Sequence, residues 1–294
     1  TSVFFMKKFF KTTFKIIIFF IGWAVLSGIV DVPSSTPAVW RFFAELIPLV
    51  FMLIFTIVFM LFENMSTKIL FNENIAKGIL TGTIVGFLWI GIPSTILIFS
   101  KQLIVAEKNT ISFILLWITS AFINVVMQEL LVRGYIYKLL KKDYNIFVAV
   151  LVSTVLFTAM HLGAFEAGFI PVLNVITMCL FTTILYETER TLLAPIMVHA
   201  VWNIIGAIFL GCVNLAEDYP HMFTLMSSQN TLLSGGEYKI EASIIVTIIN
   251  IVLTALFFIK LKLLNRNKKI ERGEVCILQN IGDCYEYWIC KRYR

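Results

Sequence analysis

The chain consists mostly of long apolar segments that are separated by short polar ones. About 20 apolar residues are needed to cross the hydrocarbon core of a bilayer, and eight segments come close to that length. Their apolar positions are continuous rather than alternating, which favours helices over strands. The pattern therefore predicts an all-α, polytopic transmembrane helical bundle of about eight spans. The predicted spans are 14–32, 40–62, 77–99, 111–137, 145–161, 169–186, 191–212 and 242–262.

Positive charges distinguish the two ends of this predicted bundle. Lysines precede the first span and follow the fourth, and lysines with an arginine follow the eighth. Eight crossings place all three groups on one side, and the positive-inside bias makes that side cytoplasmic, together with both termini. Lys101 and Lys108 fall on the opposite side, against this trend. The three groups are Lys7, Lys8, Lys11 and Lys15; Lys138, Lys141 and Lys142; and Lys260, Lys262, Arg266, Lys268 and Lys269.

The spans and loops divide the chain into four regions. Residues 1–110 carry the N-terminal transmembrane helices, and residues 111–212 form a core that contains the polar motifs described below. Residues 213–262 comprise an outer loop and the last transmembrane helix, and residues 263–294 form a polar cytoplasmic tail. We expect one membrane-embedded unit rather than separate soluble domains.

The composition supports an integral membrane protein. The chain is 59% hydrophobic and 14% charged, whereas soluble domains are about 45–50% apolar and about 25% charged. The net charge of +6 comes from loops and ends, so no nucleic-acid partner is expected. The five cysteines match neither a zinc motif nor a disulfide framework. A composition rich in Ile, Phe, Lys and Asn indicates a multi-pass protein of a bacterial cell membrane.

Three polar clusters interrupt the fourth, fifth and seventh spans. Polar and ionisable groups cost a few kcal/mol in hydrocarbon, so they usually face inward and serve function. Two of the three histidines of the chain lie in these clusters. The clusters therefore mark the candidate functional site. They read QELLVR at 128–133, FTAMH at 157–161 and HAVWN at 199–203.

Helix geometry divides the first cluster into two faces. Glu129 and Arg133 are four residues apart, so they share a face and can form an internal ion pair in the favourable order. Gln128 is rotated by about 100° from Glu129. It shares a face with Asn124 and Val132 and is free to address a cavity. We therefore expect Glu129 and Arg133 to be scaffold and Gln128 to belong to the site.

The other two clusters also place polar side chains on single helix faces. Phe157 and His161 share a face of the fifth span, and His199 and Asn203 share a face of the seventh. At about 1.5 Å per residue, His199 lies roughly 12 Å, Gln128 about 15–20 Å and His161 about 24 Å from the cytoplasmic boundary. These depths are compatible with one cavity in the middle of the membrane. A hydrogen-bonded structural role is the alternative for each histidine.

A carboxylate or amide, two histidines and an asparagine can support several kinds of chemistry. Peptide hydrolysis needs a base to activate water and donors to stabilise the oxyanion, and this set can supply both. Zinc could bind two histidines and a carboxylate, but the chain has no HExxH motif, so we expect no metal and no other cofactor. Intramembrane His, Glu and Arg also build proton relays, which leaves a small proton-coupled transporter as an alternative, although no inverted repeat is evident.

The three motifs, in this order on separate spans, resemble the CAAX protease and bacteriocin-processing family, also called CPBP or Abi. The signature of that family reads EExxxR, FxxxH and HxxxN. The resemblance covers roughly residues 110–210. It implies an all-helical intramembrane endopeptidase of the glutamic type, which acts without a metal on membrane-associated peptide or protein substrates. It also implies that some members confer bacteriocin immunity.

The resemblance implies roles for individual residues. Gln128 stands where the family has its water-activating glutamate, and Glu129 stands at the second acidic position. His161, His199 and Asn203 match the remaining catalytic positions. The supporting positions are Arg133 and Phe157.

The departure from the family pattern lies at residue 128. Glutamine keeps the size and hydrogen bonding of glutamate but cannot ionise. Three explanations follow from this change. The chain can be a protease-dead relative that binds peptides or confers bacteriocin immunity. It can carry an engineered inactivation, or Glu129 can serve as the base in place of Gln128.

Overall fold

The structure, a computed structural model, is almost entirely helical. It describes residues 2–33, 35–67, 69, 75–214 and 218–271. The predicted tail therefore lies outside the described residues from 272 onward. The helices are α1 (Ser2–Ile29), α2 (Pro37–Phe62), α3 (Ile75–Phe99), α4 (Ile114–Glu129), α5 (Ile136–Asp143), α6 (Ile146–Ala159), α7 (Leu162–Ala167), α8 (Phe169–Glu189), α9 (Leu193–Asn203), α10 (Thr231–Ser234) and α11 (Ile244–Glu271).

The long helices confirm a multi-pass helical bundle. Within the described residues, six helices are long and apolar enough to cross a membrane. Two further predicted spans correspond to apolar helices that are shorter, Ile146–Ala159 and Leu193–Phe209. The total of eight spans and the side of the termini stay predictions. The six long segments are Met6–Ile29, Pro37–Phe62, Ile75–Phe99, Ile114–Asp143, Phe169–Glu189 and Gly236–Lys268.

The predicted fourth span is not one regular helix. After α4 the chain forms a π-helical segment, Leu130–Tyr135, before α5 begins. Within it, Gly134 has φ −81° and ψ −115°, which are not helical angles. π-Helical segments recur at functional sites, and this one begins directly after Glu129. Sharp bends are typical of glycines and π-bulges, so the first polar cluster lies at a break in its helix.

The predicted fifth span ends earlier than expected. α6 stops at Ala159, and His161 has φ −102° and ψ 61° at the start of the short α7. The His161 N–H donates to the carbonyl of Thr158 at 3.0 Å, which closes a tight turn. The prediction that Phe157 and His161 share one helix face is therefore wrong, because His161 lies beyond the helix. The turn nevertheless returns the histidine towards Phe157.

A small sheet joins two connectors that are far apart in the sequence. β1 (Leu103–Lys108) pairs antiparallel with β2 (Phe223–Ser227), with an irregularity between Val105 and Glu107. The sequence did not predict this sheet, because each strand is short and its partner is more than 100 residues away. The pairing places the connector after α3 and the loop before α11 on the same side of the bundle.

Ion pairs are concentrated at one end of the bundle, where α1 and α3 begin and α2, α5 and α8 end. Glu63 and Glu189 each pair with two lysines of other helices, and Glu187 pairs with one. This is the end that the sequence predicts to be cytoplasmic. The pairs are Lys15–Glu63, Lys142–Glu63 (3.0 Å), Lys141–Glu187 (2.5 Å), Lys77–Glu189 (3.3 Å) and Lys260–Glu189 (2.5 Å).

α3 and α9 approach each other closely because glycines line their contact. A Cβ atom built at Gly82 would lie 2.4 Å from the Ala194 carbonyl oxygen, and one at Gly86 would lie 2.8 Å from Val201 Cβ. Gly78 meets Thr191 in the same way, at 2.3 Å. Small residues are the usual means of bringing helices together in membranes. Here they position α9, which carries the third motif.

Candidate functional site

The four candidate side chains line one cavity of about 440 Å³ between α3, α4, α8, α9, α11 and the turn after α6. Gln128 comes from α4, His161 from that turn, and His199 and Asn203 from α9. The three motifs therefore meet in one place, although the chain brings them there from separate elements. The catalytic roles that the resemblance implies stay predictions.

Arg133 is held in the interior by a full set of acceptors. Its Nη1 lies 2.8 and 2.7 Å from the two carboxylate oxygens of Glu129, and both side chains are fully buried. Its Nε donates to Thr183 Oγ1 at 3.2 Å, and its Nη2 donates to the Cys179 carbonyl at 3.2 Å and to Thr182 Oγ1. The expected ion pair is thus present. These acceptors offset the cost of burying its charge.

Glu129 also belongs to the site, because it holds His199 as well as Arg133. The Oε1 atom of Glu129 lies 2.9 Å from His199 Nδ1. The predicted scaffold of Glu129 and Arg133 therefore also contacts a site residue. Helix geometry did not predict this contact, because it considered one helix alone and His199 arrives from another. A carboxylate can only accept, so His199 Nδ1 carries the proton and Nε2 is left for the cavity.

His161 is oriented in the same way by a backbone carbonyl. Its Nδ1 lies 2.7 Å from the Phe157 carbonyl oxygen, which can only accept, so Nε2 is again left for the cavity. The Phe157 ring lies 4.4 Å from the His161 ring and 6.1 Å from the His199 ring, centroid to centroid. Arg133 stacks over the same ring at 5.3 Å. Phe157 therefore packs against both histidines and the buried ion pair.

Gln128 is held by a polar chain that begins on α2. Glu45 Oε2 accepts from Asn124 Nδ2 at 2.8 Å, so the Asn124 oxygen faces Gln128 and accepts from its Nε2 at 2.7 Å. Gln128 Oε1 is buried and has no hydrogen-bond partner among the described residues. Since a carboxylate cannot donate, Glu45 determines the direction of both amides. Gln128 thus presents an acceptor, as a glutamate would, but one that cannot take a proton.

Sequence reasoning missed Glu45 and the opposite wall of the cavity. On that wall Asn174 Nδ2 donates to the Glu241 carbonyl at 2.8 Å and to the Ser243 carbonyl at 3.0 Å. Trp89 Nε1 donates to Asn250 Oδ1 at 2.7 Å, which joins α3 to α11. Each of these polar residues interrupts an apolar segment. The rule that flags polar residues in spans could have found them, although it could not have shown what they contact.

The described residues offer no evident metal site. His161 and His199 line the cavity together, but no group of three or more His, Cys, Asp or Glu side chains in this part of the chain is arranged to hold a metal ion. Glu129, which contacts His199, is already bound to Arg133 as well. The expectation that no cofactor is needed stays a prediction.

The fold and the cavity define a multi-pass helical membrane protein with a polar chamber between its helices. Residues 110–205 match the family model described as type II CAAX prenyl endopeptidase Rce1-like. This segment contains all three motifs, so the resemblance that they indicated is confirmed there. No curated protein and no solved structure matches the chain.

Proposed function

We propose that the chain is an intramembrane endopeptidase of the CAAX protease type, which binds a membrane-associated peptide in the cavity and hydrolyses it slowly. The observation that carries this proposal is the meeting of Gln128, His161, His199 and Asn203 around one cavity within the matched segment. The hydrophobic composition of the chain and its content of Ile, Phe, Lys and Asn favour a bacterial cell membrane as the location of the protein.

The geometry supports separate roles for the cavity side chains in hydrolysis. His161 Nε2 is available to accept a proton from water, since Nδ1 is bound to the Phe157 carbonyl. Gln128 Oε1 can accept a hydrogen bond from the same water and orient it, but cannot take its proton. Asn203 can donate to the oxyanion, and so can His199 in its protonated form. His161 then passes the proton that it took from water to the leaving amine as the peptide bond breaks. With His161 as the base, the water lacks the second base that a glutamate at residue 128 would supply. General-base catalysis typically contributes about 10²–10⁴-fold, so the amide at 128 should slow the reaction by up to that order.

A second function is favoured because the carboxylates near residue 128 are already occupied by hydrogen bonds and ion pairs. Glu129 is fully buried between Arg133 and His199, and Glu45 is bound to Asn124. Neither carboxylate is free to replace the missing one at residue 128. A peptide-binding or bacteriocin-immunity protein without hydrolytic activity would retain the cavity and use Gln128 only as a hydrogen-bond acceptor.

A peptidase assay separates the two functions. The purified chain in detergent is incubated with membrane-proximal peptides beside Gln128→Glu and His161→Ala. We expect slow cleavage by the wild type, cleavage about 10²–10⁴-fold faster in Gln128→Glu, and loss of cleavage in His161→Ala. His221→Ala is the control, because His221 does not line this cavity.

Three outcomes would change the assignment. Cleavage that appears only in Gln128→Glu would exclude native proteolysis and favour the binding function. Cleavage that persists in His161→Ala would place the chemistry elsewhere. Cleavage that a chelator abolishes would indicate a metal-dependent reaction instead.

A further inference from the structure

Glu241 brings a carboxylate into the cavity that the three motifs do not include. It lies in the 3₁₀ segment Gly236–Ala242, just before α11, and its side chain lines the same cavity as His161 and His199. Its Oε2 accepts from the backbone N–H of Asn214 at 2.8 Å. It forms no salt bridge with any residue that the structure describes. When it is ionised, no side chain among the described residues forms an ion pair with it.

No lysine or arginine of the described lining can pair with Glu241. Among the described residues that line the cavity, Glu241 is the single acidic side chain, and no lysine or arginine is present. Lys239, two residues away, donates instead to the Gly211 carbonyl at 2.7 Å. A carboxylate removed from bulk water stays ionised only with a compensating charge or strong donors. One backbone N–H supplies only part of that compensation.

Gln128, His161 and His199 can add further hydrogen-bond acceptors to the same cavity. When neutral, His161 and His199 each leave Nε2 as an acceptor, since their Nδ1 atoms donate to Phe157 and Glu129. Gln128 Oε1 is buried and finds no hydrogen-bond partner in the part of the chain that the structure describes. A ligand group that donates several hydrogen bonds and carries positive charge complements Glu241 and these acceptors. An ammonium group has three donors and a guanidinium group has five.

The backbone around Glu241 is rigidly placed. Gly235 has φ +78°, and a Cβ atom there would lie 1.6 Å from the Lys239 carbonyl oxygen, so this turn requires glycine. Asn174 holds the Glu241 carbonyl from α8 at 2.8 Å. Asn214, which binds the carboxylate, also lines an adjoining cavity of about 340 Å³. The carboxylate is thus fixed beside the junction of the two cavities.

We propose that this cavity is a cation-binding site, in which Glu241 pairs with a protonated amine or guanidinium of the bound peptide. The cation is a lysine or arginine side chain or the free N-terminus of the peptide. The peptide nature of the ligand rests on the proposed function, whereas the preference for a cation rests on the charges and acceptors of the cavity.

Peptide binding tests the proposal. Binding of labelled membrane-proximal peptides to the full chain in nanodiscs is measured by fluorescence anisotropy. The peptides differ only by lysine against norleucine, with the N-terminus free or acetylated. We expect the wild type to bind a cationic peptide at least about 10-fold more tightly, which is about 1.4 kcal/mol. Comparing lysine with norleucine in the two acetylated peptides measures the effect of the side chain. Comparing the free with the acetylated N-terminus in the two norleucine peptides measures the effect of the N-terminus.

Matched variants test whether Glu241 causes the preference for a cationic peptide. Glu241→Gln keeps the acceptor for Asn214 and should abolish the preference without weakening binding of the neutral peptide. Glu237→Gln removes a charge from the same segment, on a residue that does not line this cavity, and should keep the preference. Equal binding of cationic and neutral peptides by the wild type, or a preference that survives in Glu241→Gln, would overturn the proposal and leave the proposed function intact.

A small probe keeps the test independent of peptide binding. Hexylamine, protonated at neutral pH, should raise the melting temperature of the wild type more than hexanol does, and this difference should disappear in Glu241→Gln. If no peptide binds, the proposed function fails, while this comparison still decides the cation site. An equal effect of the two compounds on the wild type would overturn the cation site.

Discussion

Glu129 is the residue through which two of the motifs meet. Its carboxylate binds Arg133 on its own helix and His199 on α9, and all of these atoms are almost fully enclosed. Burying an ion pair costs desolvation free energy, but removing one of its partners destabilises the fold more, because the remaining charge is then buried without a partner or solvent. Glu129 therefore contributes both to the stability of the core and to the tautomer of His199.

Removal of Glu129 should destabilise the protein strongly. Glu129→Ala leaves Arg133 charged and unpaired in the interior, which should cost about 3–5 kcal/mol. The measurement is the unfolding free energy in detergent by chemical denaturation. The exposed Glu107→Ala on β1 is the control and should stay near wild type. The double variant Glu129→Leu, Arg133→Met should regain most of the loss, because it removes both charges. An unchanged unfolding midpoint in Glu129→Ala would contradict the pairing.

At the scale of elements, the site depends on how closely α3 and α9 pack. The glycines of α3 let the backbone of α9 approach, and Trp89 of α3 stacks on Trp202 of α9 at 4.1 Å between ring centroids. α9 carries His199 and Asn203, so its distance from α3 determines where these side chains enter the cavity. A change that separates the two helices should therefore affect both stability and function.

Two glycines of α3 provide a matched test of this packing. Gly82→Ala would place a methyl group 2.4 Å from the Ala194 carbonyl oxygen, whereas a Cβ at Gly91 meets nothing within 4 Å. We expect Gly82→Ala to lose about 1–3 kcal/mol of unfolding free energy and to weaken peptide binding. Gly91→Ala should be neutral or gain up to about 1 kcal/mol, because alanine favours helix. Similar behaviour of the two variants would show that the close contact is not required.

At the scale of the whole molecule, the two ends of the bundle differ in chemistry. One end carries ion pairs that join the helix ends, and the other carries the β1–β2 sheet and the turns beside the cavity. Glu63, just beyond α2, binds Lys15 of α1 and Lys142 of α5 and so connects three helices. Burial opposes ionisation of Glu63, but the two lysines outweigh it and hold its pKa below the ordinary value.

The lowered pKa of Glu63 predicts how stability depends on pH. Because the folded state favours the carboxylate, the contribution of Glu63 is complete above the unfolded value of about 4.3 and is lost as pH falls through the lower folded pKa. Melting temperatures of the wild type and Glu63→Gln should therefore differ at pH 7 and converge as the pH falls below about 4. A difference that stays constant down to pH 3 would show that the ionised form is not what stabilises the fold.

Much of the fold could be predicted from local patterns. The predicted spans at 40–62 and 77–99 match α2 and α3 within a few residues, because a long apolar run in lipid has no alternative to a helix. The π-helical segment, the early end of α6 and the β1–β2 sheet could not be predicted. Each depends on contacts with distant residues, and apolar periodicity carries no information about those.

The sequence by itself determined the membrane helices and the residues of the three motifs, because hydrophobicity and motif spacing are local properties. Only the tertiary structure decided which of those residues touch. It placed Glu129 against His199, assigned the Nδ1 protons of both histidines, and linked Gln128 through Asn124 to Glu45. It also brought Glu241 into the same cavity. Hydrogen bonds and charge pairs form between side chains on different helices, and the packing of those helices depends on the whole chain.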